Sequence, residues 1–367
     1  MPEMRILSVA GARPQFVKTA EFGRACSEIG VEHAFVHTGQ HYDDELSRSF
    51  FEDLEIPEPV ANLGVGSWSH AWQTGEMMRR LDVFLNESEF RPDWVVVYGD
   101  TNSTLAAAIV AVKRGVPVAH VEAGLRSYDN RMPEELNRVM TDRVAARLFC
   151  PTQVSVDNLV REGIDRGVFL TGDVMFDSVR RHKERALGKY AHPLGGKSFS
   201  LATIHRAENT DDRERLRAAL ACLEVSNAPV IWPMHPRARN RVSDFGLSIP
   251  DNVTAVPPIG YLEMLAYLQY ADRVITDSGG VQKEAYWLGT PCVTLRSTTE
   301  WPETLEGGWN VLTDVDMDRF EKSMAEPPSG DRVVTEEEGA ALRMVDHLKA
   351  GVGDPRGFVL DPGSSPG

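Results

Sequence analysis

"DWVVVYGDTNSTLAAAIVAVKRGVPVAHVEAGLRS", residues 93–127, holds two apolar runs rich in β-branched residues, "WVVVY" and "VPVAHV", separated by a segment of helical length. Neither run alternates apolar with polar residues, which predicts strands buried on both faces of a parallel sheet. Each run ends abruptly in polar residues, "GDTNS" after the first and "EAGLRS" after the second. Carboxylates so near buried strands are costly unless they are used, and open α/β sheets bind ligands at the carboxyl ends of their strands.

The same punctuation extends in both directions. Upstream, "RILSVA" runs into "GARPQFVK" and a helical pattern from about Gln15, and "HAFVH" runs into "TGQHYD"; downstream comes "RLFCPT". The basic, then Pro- and Gly-rich stretch "RRHKERALGKYAHPLGGK" predicts a domain boundary near residues 180–197. Strand signals then resume in "FSLATIH", "APVIWPMH", "NVTAVPP", "RVITDSGG" and "TPCVTLR". The expected fold is therefore α/β: two Rossmann-like, doubly wound domains facing a cleft, residues 1–180 and 197–350, followed by an unstructured tail at 351–367.

Composition narrows the function. A formal charge of −15 over 367 residues, with scattered basic residues, argues against a nucleic-acid partner. No apolar run approaches the roughly twenty residues of a membrane span, and the first residues lack a secretory apolar segment, so a cytoplasmic protein with no membrane partner is expected. Cys26, Cys150, Cys222 and Cys292 show no metal or redox spacing and read as buried, reduced thiols.

The strand-end clusters carry the chemistry. In "DSGGVQKEA", a strand meets Asp277, Ser278, Gly279 and Gly280 before a helix begins, and bare glycines let phosphate oxygens approach backbone N–H groups at the positive helix end. A diphosphate fits there, with Glu284 one turn on to accept ribose hydroxyls; an N-cap serine and a surface glutamate would be the plainer reading. Arg13 and Lys18 of "GARPQFVK" run against the helix dipole, which suits a diphosphate contact. Asp100, Glu122 and Glu134 lie in separate loops or helix starts at one sheet edge; carboxylates sharing a cleft push at least one pKa upward and can supply an acid and a base. His205 faces the same cleft, whereas His33, His182 and His192 read as surface residues, and Asp129, Glu135 and Asp142 as helix-cap or solvated acids. No histidine spacing supports a metal site, and neither GxGxxG nor GxxxxGK[ST] is present, so no metal, nicotinamide or other cofactor is expected.

Seven motifs in order, "GARPQFVK", "YGDTNST", "HVEAGLRS", "MPEELNR", "HRAEN", "TDSGGVQKEA" and "STTEWPE", resemble the non-hydrolysing UDP-N-acetylglucosamine 2-epimerases, which share the architecture of GT-B glycosyltransferases. The versions "HTGQHYD", "YGDTNSTLA" and "RMPEELNR" are similar to a branch that includes UDP-2,3-diacetamido-glucuronate epimerases. The resemblance implies anti elimination of UDP to a 2-acetamidoglucal and re-addition after protonation on the other face, in a homodimer serving polysaccharide synthesis. It implies Asp100, Glu122 and Glu134 as the acid/base set, completed by His205 and Arg138. Arg13 and Lys18 would hold phosphates, Ser278, Gly279 and Gly280 the diphosphate, Glu284 the ribose, with His235 and Arg296 as further contacts and Tyr261 on uracil or in the core. A hydrolysing epimerase, a GT-B glycosyltransferase and a silent sugar-nucleotide binder are the competing readings. Some members of the resembled family keep a second UDP-sugar as an activator; here Tyr42 and Asp43 stand where a cation and an amide would be wanted, and no arginine precedes Arg79 in "SHAWQTGEM". A carboxylate facing a diphosphate opposes binding, so the rate should rise hyperbolically with UDP-sugar; a sigmoidal curve in initial-rate assays would contradict this.

Overall fold

All of "WVVVY" is buried, and it forms strand β4 (Trp94–Tyr98) at the middle of a parallel sheet. Its side chains alternate between two cores: Val95 and Val97 on one face, Trp94, Val96 and Tyr98 on the other. The computed structural model describes residues 4–39, 51, 53–66, 68–226, 228–334 and 337–351; Tyr42, Asp43 and the expected tail from 352 onward lie outside the described residues.

In the first unit the strands are β1 (Arg5–Ala10), β2 (Glu32–His37), β3 (Ala61–Asn62), β4, β5 (Val118–Val121), β6 (Arg147–Cys150) and β7 (Val168–Leu170), joined in the order β3-β2-β1-β4-β5-β6-β7. Every pairing is parallel, with Val97 opposite His120. The helices are α1 (Arg13–Glu28), α2 (His70–Glu87), α3 (Asn102–Lys113), α4 (Pro133–Val144), α5 (Gln153–Arg161) and α6 (Val174–Lys189). Helix α3 is the "TLAAAIVAV" segment; it starts on Thr101, whose hydroxyl accepts from the Thr104 amide, and small alanines let it pack closely beneath the sheet. Met77, Leu81 and Leu85 of α2 complete that face.

In the second unit, strands β8 (Ser200–Thr203), β9 (Val230–Pro233), β10 (Val253–Val256), β11 (Arg273–Thr276), β12 (Cys292–Thr294) and β13 (Asn310–Leu312) form a parallel sheet ordered β10-β9-β8-β11-β12-β13. Between them run α7 (Ala207–Thr210), α8 (Arg213–Glu224), α9 (Pro236–Asp244), α10 (Tyr261–Tyr270) and α11 (Gly279–Leu288), and α12 (Met317–Ala325) follows β13. Trp232, Leu216, Leu220 and Phe320 anchor its core.

The boundaries differ from the sequence reading. Helix α6 continues through Lys189, so most of the expected linker's basic half is helical, and the chain divides after Ser178. Helix α13 (Ala340–Ala350), expected in the second domain, belongs to the first. Its Ala341, Met344, Val345 and Leu348 fill the face of the sheet beside Phe22 and Cys26 of α1. Asp177 caps its start, accepting from the amides of Gly339 (2.8 Å) and Ala341 (3.0 Å). Sequence proximity cannot reveal such a return.

The cysteines are buried and free as expected, and burial pushes the thiols of Cys26, Cys222 and Cys292 up to about 12. The three histidines read as surface residues are not. His182 is buried, His192 packs between Phe199 and Tyr270, and His33 bonds Ser8 Oγ (2.8 Å) beside Phe22. Gly23, in mid-helix where alanine is ordinarily favoured, leaves room for it: a β-carbon there would lie 2.8 Å from His33 Nδ1. Burial pushes the His33 ring from 6.5 down to about 4. The folded chain thus refuses a proton that the unfolded chain accepts, so this contribution to stability is complete above pH 6.5 and is lost as pH falls toward 4. His33→Gln keeps a donor for Ser8 without titrating; over that window urea midpoints of the wild type should fall relative to the variant, and parallel midpoints would refute the assignment.

Candidate active site

Each sheet reverses its strand order once, between β1 and β4 in the first unit and between β8 and β11 in the second. At such a reversal, neighbouring connections leave toward opposite faces and open a crevice at the carboxyl ends of the strands. "GARPQFVK" follows β1 and "GDTNS" follows β4; "HRAEN" follows β8 and "DSGG" follows β11.

In the first unit, Gln15 ties the crevice together. Its Oε1 accepts from the amides of Gly11 (2.8 Å) and Ala12 (3.0 Å), and its Nε2 donates to the Tyr98 carbonyl (2.7 Å) and the Thr101 hydroxyl (2.9 Å). Arg13 opens α1, and Lys18 lies one turn deeper. Lys18, the expected phosphate ligand, is buried and salt-bridged to Glu122. Glu122 has φ +72°, a left-handed conformation that a side chain with a β-carbon rarely adopts, while its amide and that of Ala123 both donate to the Phe149 carbonyl (3.1 Å each). Gly99, at φ +60°, makes room: a β-carbon there would lie 3.1 Å from Glu122 Oε2. Burial pushes the Glu122 carboxyl above the usual range, Lys18 opposes the shift, and the charges of Asp173 and Asp100 add to it.

Helix α4 presents the remaining groups. Arg138 is salt-bridged to Asp100 and donates to Glu135 (2.8 Å), and Asn137 Nδ2 donates to the Asp100 carbonyl (2.9 Å). Glu134, in the first turn, is half-buried. Glu135, expected as a cap or solvated acid, is buried and accepts from the Ser127 amide and hydroxyl (2.9 Å each) and the Tyr128 amide (3.0 Å), so it shapes the loop after β5. Asp142 is likewise fully buried rather than solvated, meeting His120 Nδ1 (2.6 Å), Arg126 (2.8 Å) and the Gly124 amide (3.2 Å). Burial works to raise its carboxyl, but His120 and Arg126 hold it below the usual carboxylate range. Asp129 does sit near the surface, bonded to Arg131 (2.7 Å).

In the second unit, buried Asp277 joins the two loops at the reversal, accepting from the amides of His205 (3.1 Å) and Arg206 (3.0 Å) and from Asn209 Nδ2 (3.1 Å). The His205 side chain is 45% exposed, hence available, with the His235 ring 6.3 Å away. His235 caps α9, its Nδ1 accepting from the Arg237 amide at 3.2 Å. Ser278 precedes α11, which begins at Gly279, and a β-carbon on Gly280 would meet open space. Glu284 is buried on α11. Arg296, expected on the ligand, is buried with both terminal nitrogens on Glu300 (2.9 Å each). Tyr261 is buried with its ring edge-on to His182 (6.3 Å), which favours the core-packing alternative.

Sequence reasoning missed Asp173, a buried acid after β7 whose Oδ1 accepts from the Met175 amide (2.8 Å) and whose charge bears on Glu122. The signal was the "TGD" that follows β7. It also missed Gln15, Asn137 and His120, whose roles lie in what they grip. Arg79 and Arg80 both pair with Glu76, and Arg80 also holds the Leu63 and Gly64 carbonyls (2.5 and 3.1 Å). Among the described residues no group of three or more His, Cys, Asp or Glu side chains is arranged to hold a metal ion, and no helix is long and apolar enough to cross a membrane.

A family model described as UDP-N-acetylglucosamine 2-epimerase matches residues 24–336. The chain belongs to that family. It is thus a UDP-sugar 2-epimerase, an isomerase, built of two GT-B-like α/β units. A UDP-N-acetylglucosamine 2-epimerase homolog from Methanococcus maripaludis is 46% identical over 84% of this chain and 88% of its own. The UDP-2,3-diacetamido-2,3-dideoxy-D-glucuronate 2-epimerase of Pseudomonas aeruginosa is 47% identical over 87% and 91%. The crystal structure of the Methanocaldococcus jannaschii UDP-GlcNAc 2-epimerase in complex with UDP-GlcNAc and UDP superposes with a TM-score of 0.88 at 37% identity, over 95% of this chain and all of that one.

The buried bonds of Glu135 make it a structural member of this epimerase. Glu135→Gln replaces an acceptor by a donor facing the loop amides, which should lower stability by about 1–3 kcal/mol. An unchanged urea midpoint would show that the loop holds without it.

Proposed function

We propose that this epimerase interconverts UDP-N-acetylglucosamine and UDP-N-acetylmannosamine by eliminating and re-adding UDP, without releasing free sugar. The observation that carries the reading is the paired arrangement at the β1–β4 reversal: two carboxylates, Asp100 and Glu122, each salt-bridged to its own cation, Arg138 and Lys18. The hydrogen on C2 of the sugar has no neighbouring carbonyl to acidify it. Removing it therefore requires that the C1–O bond break as the C2–H bond does. The proton passes to a carboxylate, a C1=C2 double bond forms, and UDP departs with the electron pair of the C1–O bond. A proton delivered to the opposite face of C2 and attack of the diphosphate oxygen on C1 give the epimer. Such chemistry needs one carboxyl ready to give a proton and another ready to take one. The raised Glu122 carboxyl suits the first role, and guanidinium-paired Asp100 the second. Glu134 is the third member of the set. His205 and Arg13 assist the departing diphosphate, Ser278, Gly279 and Gly280 receive it on backbone N–H groups, and Glu284 takes the ribose. We place the enzyme in the cytoplasm as a homodimer feeding polysaccharide synthesis.

A second substrate has a specific observation in its favour, the 47% identity to the P. aeruginosa enzyme named for UDP-2,3-diacetamido-2,3-dideoxy-D-glucuronate. Proton NMR of each UDP-sugar with the enzyme in deuterated water separates the readings by C2 exchange, epimer formation and free sugar. Exchange and epimer with UDP-N-acetylglucosamine should appear without free sugar; turnover confined to the diacetamido substrate would transfer the assignment. Asp100→Asn, Glu122→Gln and Glu134→Gln should each lower kcat by on the order of a hundredfold or more while UDP still binds. A variant that keeps near-native turnover removes that residue from the acid/base set.

A further inference from the structure

The reading of Asp100 as an acid/base group leaves open how its short loop is held, because Asp100 follows a glycine, the residue with the greatest backbone freedom. The carboxylate has Arg138 and the peptide oxygen has Asn137. Beneath them lies a group used by neither contact. His120, in the middle of β5, is fully buried, and its Nε2 meets the Gly99 carbonyl at 2.7 Å. A carbonyl can only accept, so this nitrogen carries a hydrogen and donates. The other ring nitrogen, Nδ1, meets Asp142 Oδ1 at 2.6 Å, leaving the ring no freedom to turn. Asp142 is itself fixed by Arg126, and Arg126 by both oxygens of Glu162 (2.6 and 2.9 Å).

This chain of contacts reaches the two proposed catalytic turns together. His120 holds the peptide that precedes Asp100, and Asp142 holds the amide of Gly124 (3.2 Å), two residues after Glu122. Along α4, Glu134, Arg138 and Asp142 are spaced four apart and so share one helix face. A single helix face thus carries a proposed acid/base group, the clamp on Asp100 and the anchor of His120. We infer that His120 is a positioning residue of the epimerase: its Nε2 donates to the Gly99 carbonyl and so holds the Gly99–Asp100 peptide, and with it Asp100, in the geometry that proton transfer at C2 requires. Its two bonds have separate tasks: Nδ1 to Asp142 fixes the ring, and Nε2 to Gly99 fixes the loop.

The two tasks are separable because an asparagine amide occupies the place of Nδ1 and a glutamine amide that of Nε2. His120→Asn keeps a partner for Asp142 and gives up Gly99; His120→Gln does the reverse. Displacing a catalytic group by about 1 Å costs on the order of a hundredfold. The inference rests on Asp100 acting at C2, so Asp100→Asn is assayed alongside. With folding checked by circular dichroism and UDP affinity by calorimetry, His120→Asn should lower kcat by roughly ten- to a hundredfold. C2 deuterium exchange should fall in parallel, with KM and UDP affinity within about threefold of wild type. His120→Gln should recover most of that loss. If Asp100→Asn is inactive while His120→Asn keeps wild-type kcat, or if Asn and Gln lose kcat equally, positioning through Gly99 is overturned. If Asp100→Asn stays active, the acid/base reading fails first. Should the Asn variant fail to fold, the Gln variant decides alone: kcat near wild type supports the inference, and a fall in kcat, or failure to fold as well, overturns it.

Discussion

The Arg138–Asp100 ion pair is the contact that ties the loop after β4 to helix α4. A parallel sheet buried on both faces ends its strands in loops where every polar group must find a partner. Here the partner comes from a helix two crossovers further along the chain. Arg138 is itself nearly inaccessible, so its charge would be costly alone; Asp100 and Glu135 together make it tolerable, and in return it orders both the β4 loop and the segment after β5. Lys18 repeats the arrangement from α1 toward Glu122. Acidic groups that would otherwise repel one another are thereby kept close together, which is the condition under which one carboxyl gives a proton while another takes it.

The second unit meets the same constraint by different means. Asp277 has no guanidinium within the contacts described and instead gathers backbone amides from the β8 loop and the side chain of Asn209, so its charge is spread over hydrogen bonds. Arg296 and Glu300 then form a buried pair just before Trp301. Lys283 lies over the Trp301 ring at 4.0 Å and the Trp287 ring at 4.8 Å and pairs with Glu303 at 3.2 Å. In the first unit the buried charges pair across distant elements, and in the second they pair or hydrogen-bond around the strand–helix junction.

Much of this was legible from the residues. "WVVVY" and "VPVAHV" announced buried parallel strands because their apolar residues do not alternate, and the carboxylates after them marked the sheet edge. Illegible were the assignments that depend on a partner far away in sequence. Lys18 was placed by its distance from the strand end alone, and its partner Glu122 lies 104 residues on. Arg296 was read as a ligand contact; both its terminal nitrogens bond Glu300, a neighbour four residues on that the motif alone did not mark as its partner. His120 was hidden as an ordinary strand residue inside "VAHV", and Asp142 looked solvated because its helix is polar in sequence while its inner face is not open to water. Histidines 33, 182 and 192 misled for the same reason: a polar side chain says nothing of depth until its neighbours are known.

Helix α13 has a consequence for how the protein is made. The second unit is one uninterrupted stretch of chain, whereas the first is interrupted and regains helix α13 only at residues 340–350. On a ribosome, the second unit has its whole sequence in hand while the sheet face formed by Ile6, Val96 and Tyr98 still lacks Met344, Val345 and Leu348. The nascent first unit therefore carries an open apolar face through the synthesis of more than a hundred residues. It can close only after residues 340–350 have emerged, and until then chaperones have an apolar surface to hold.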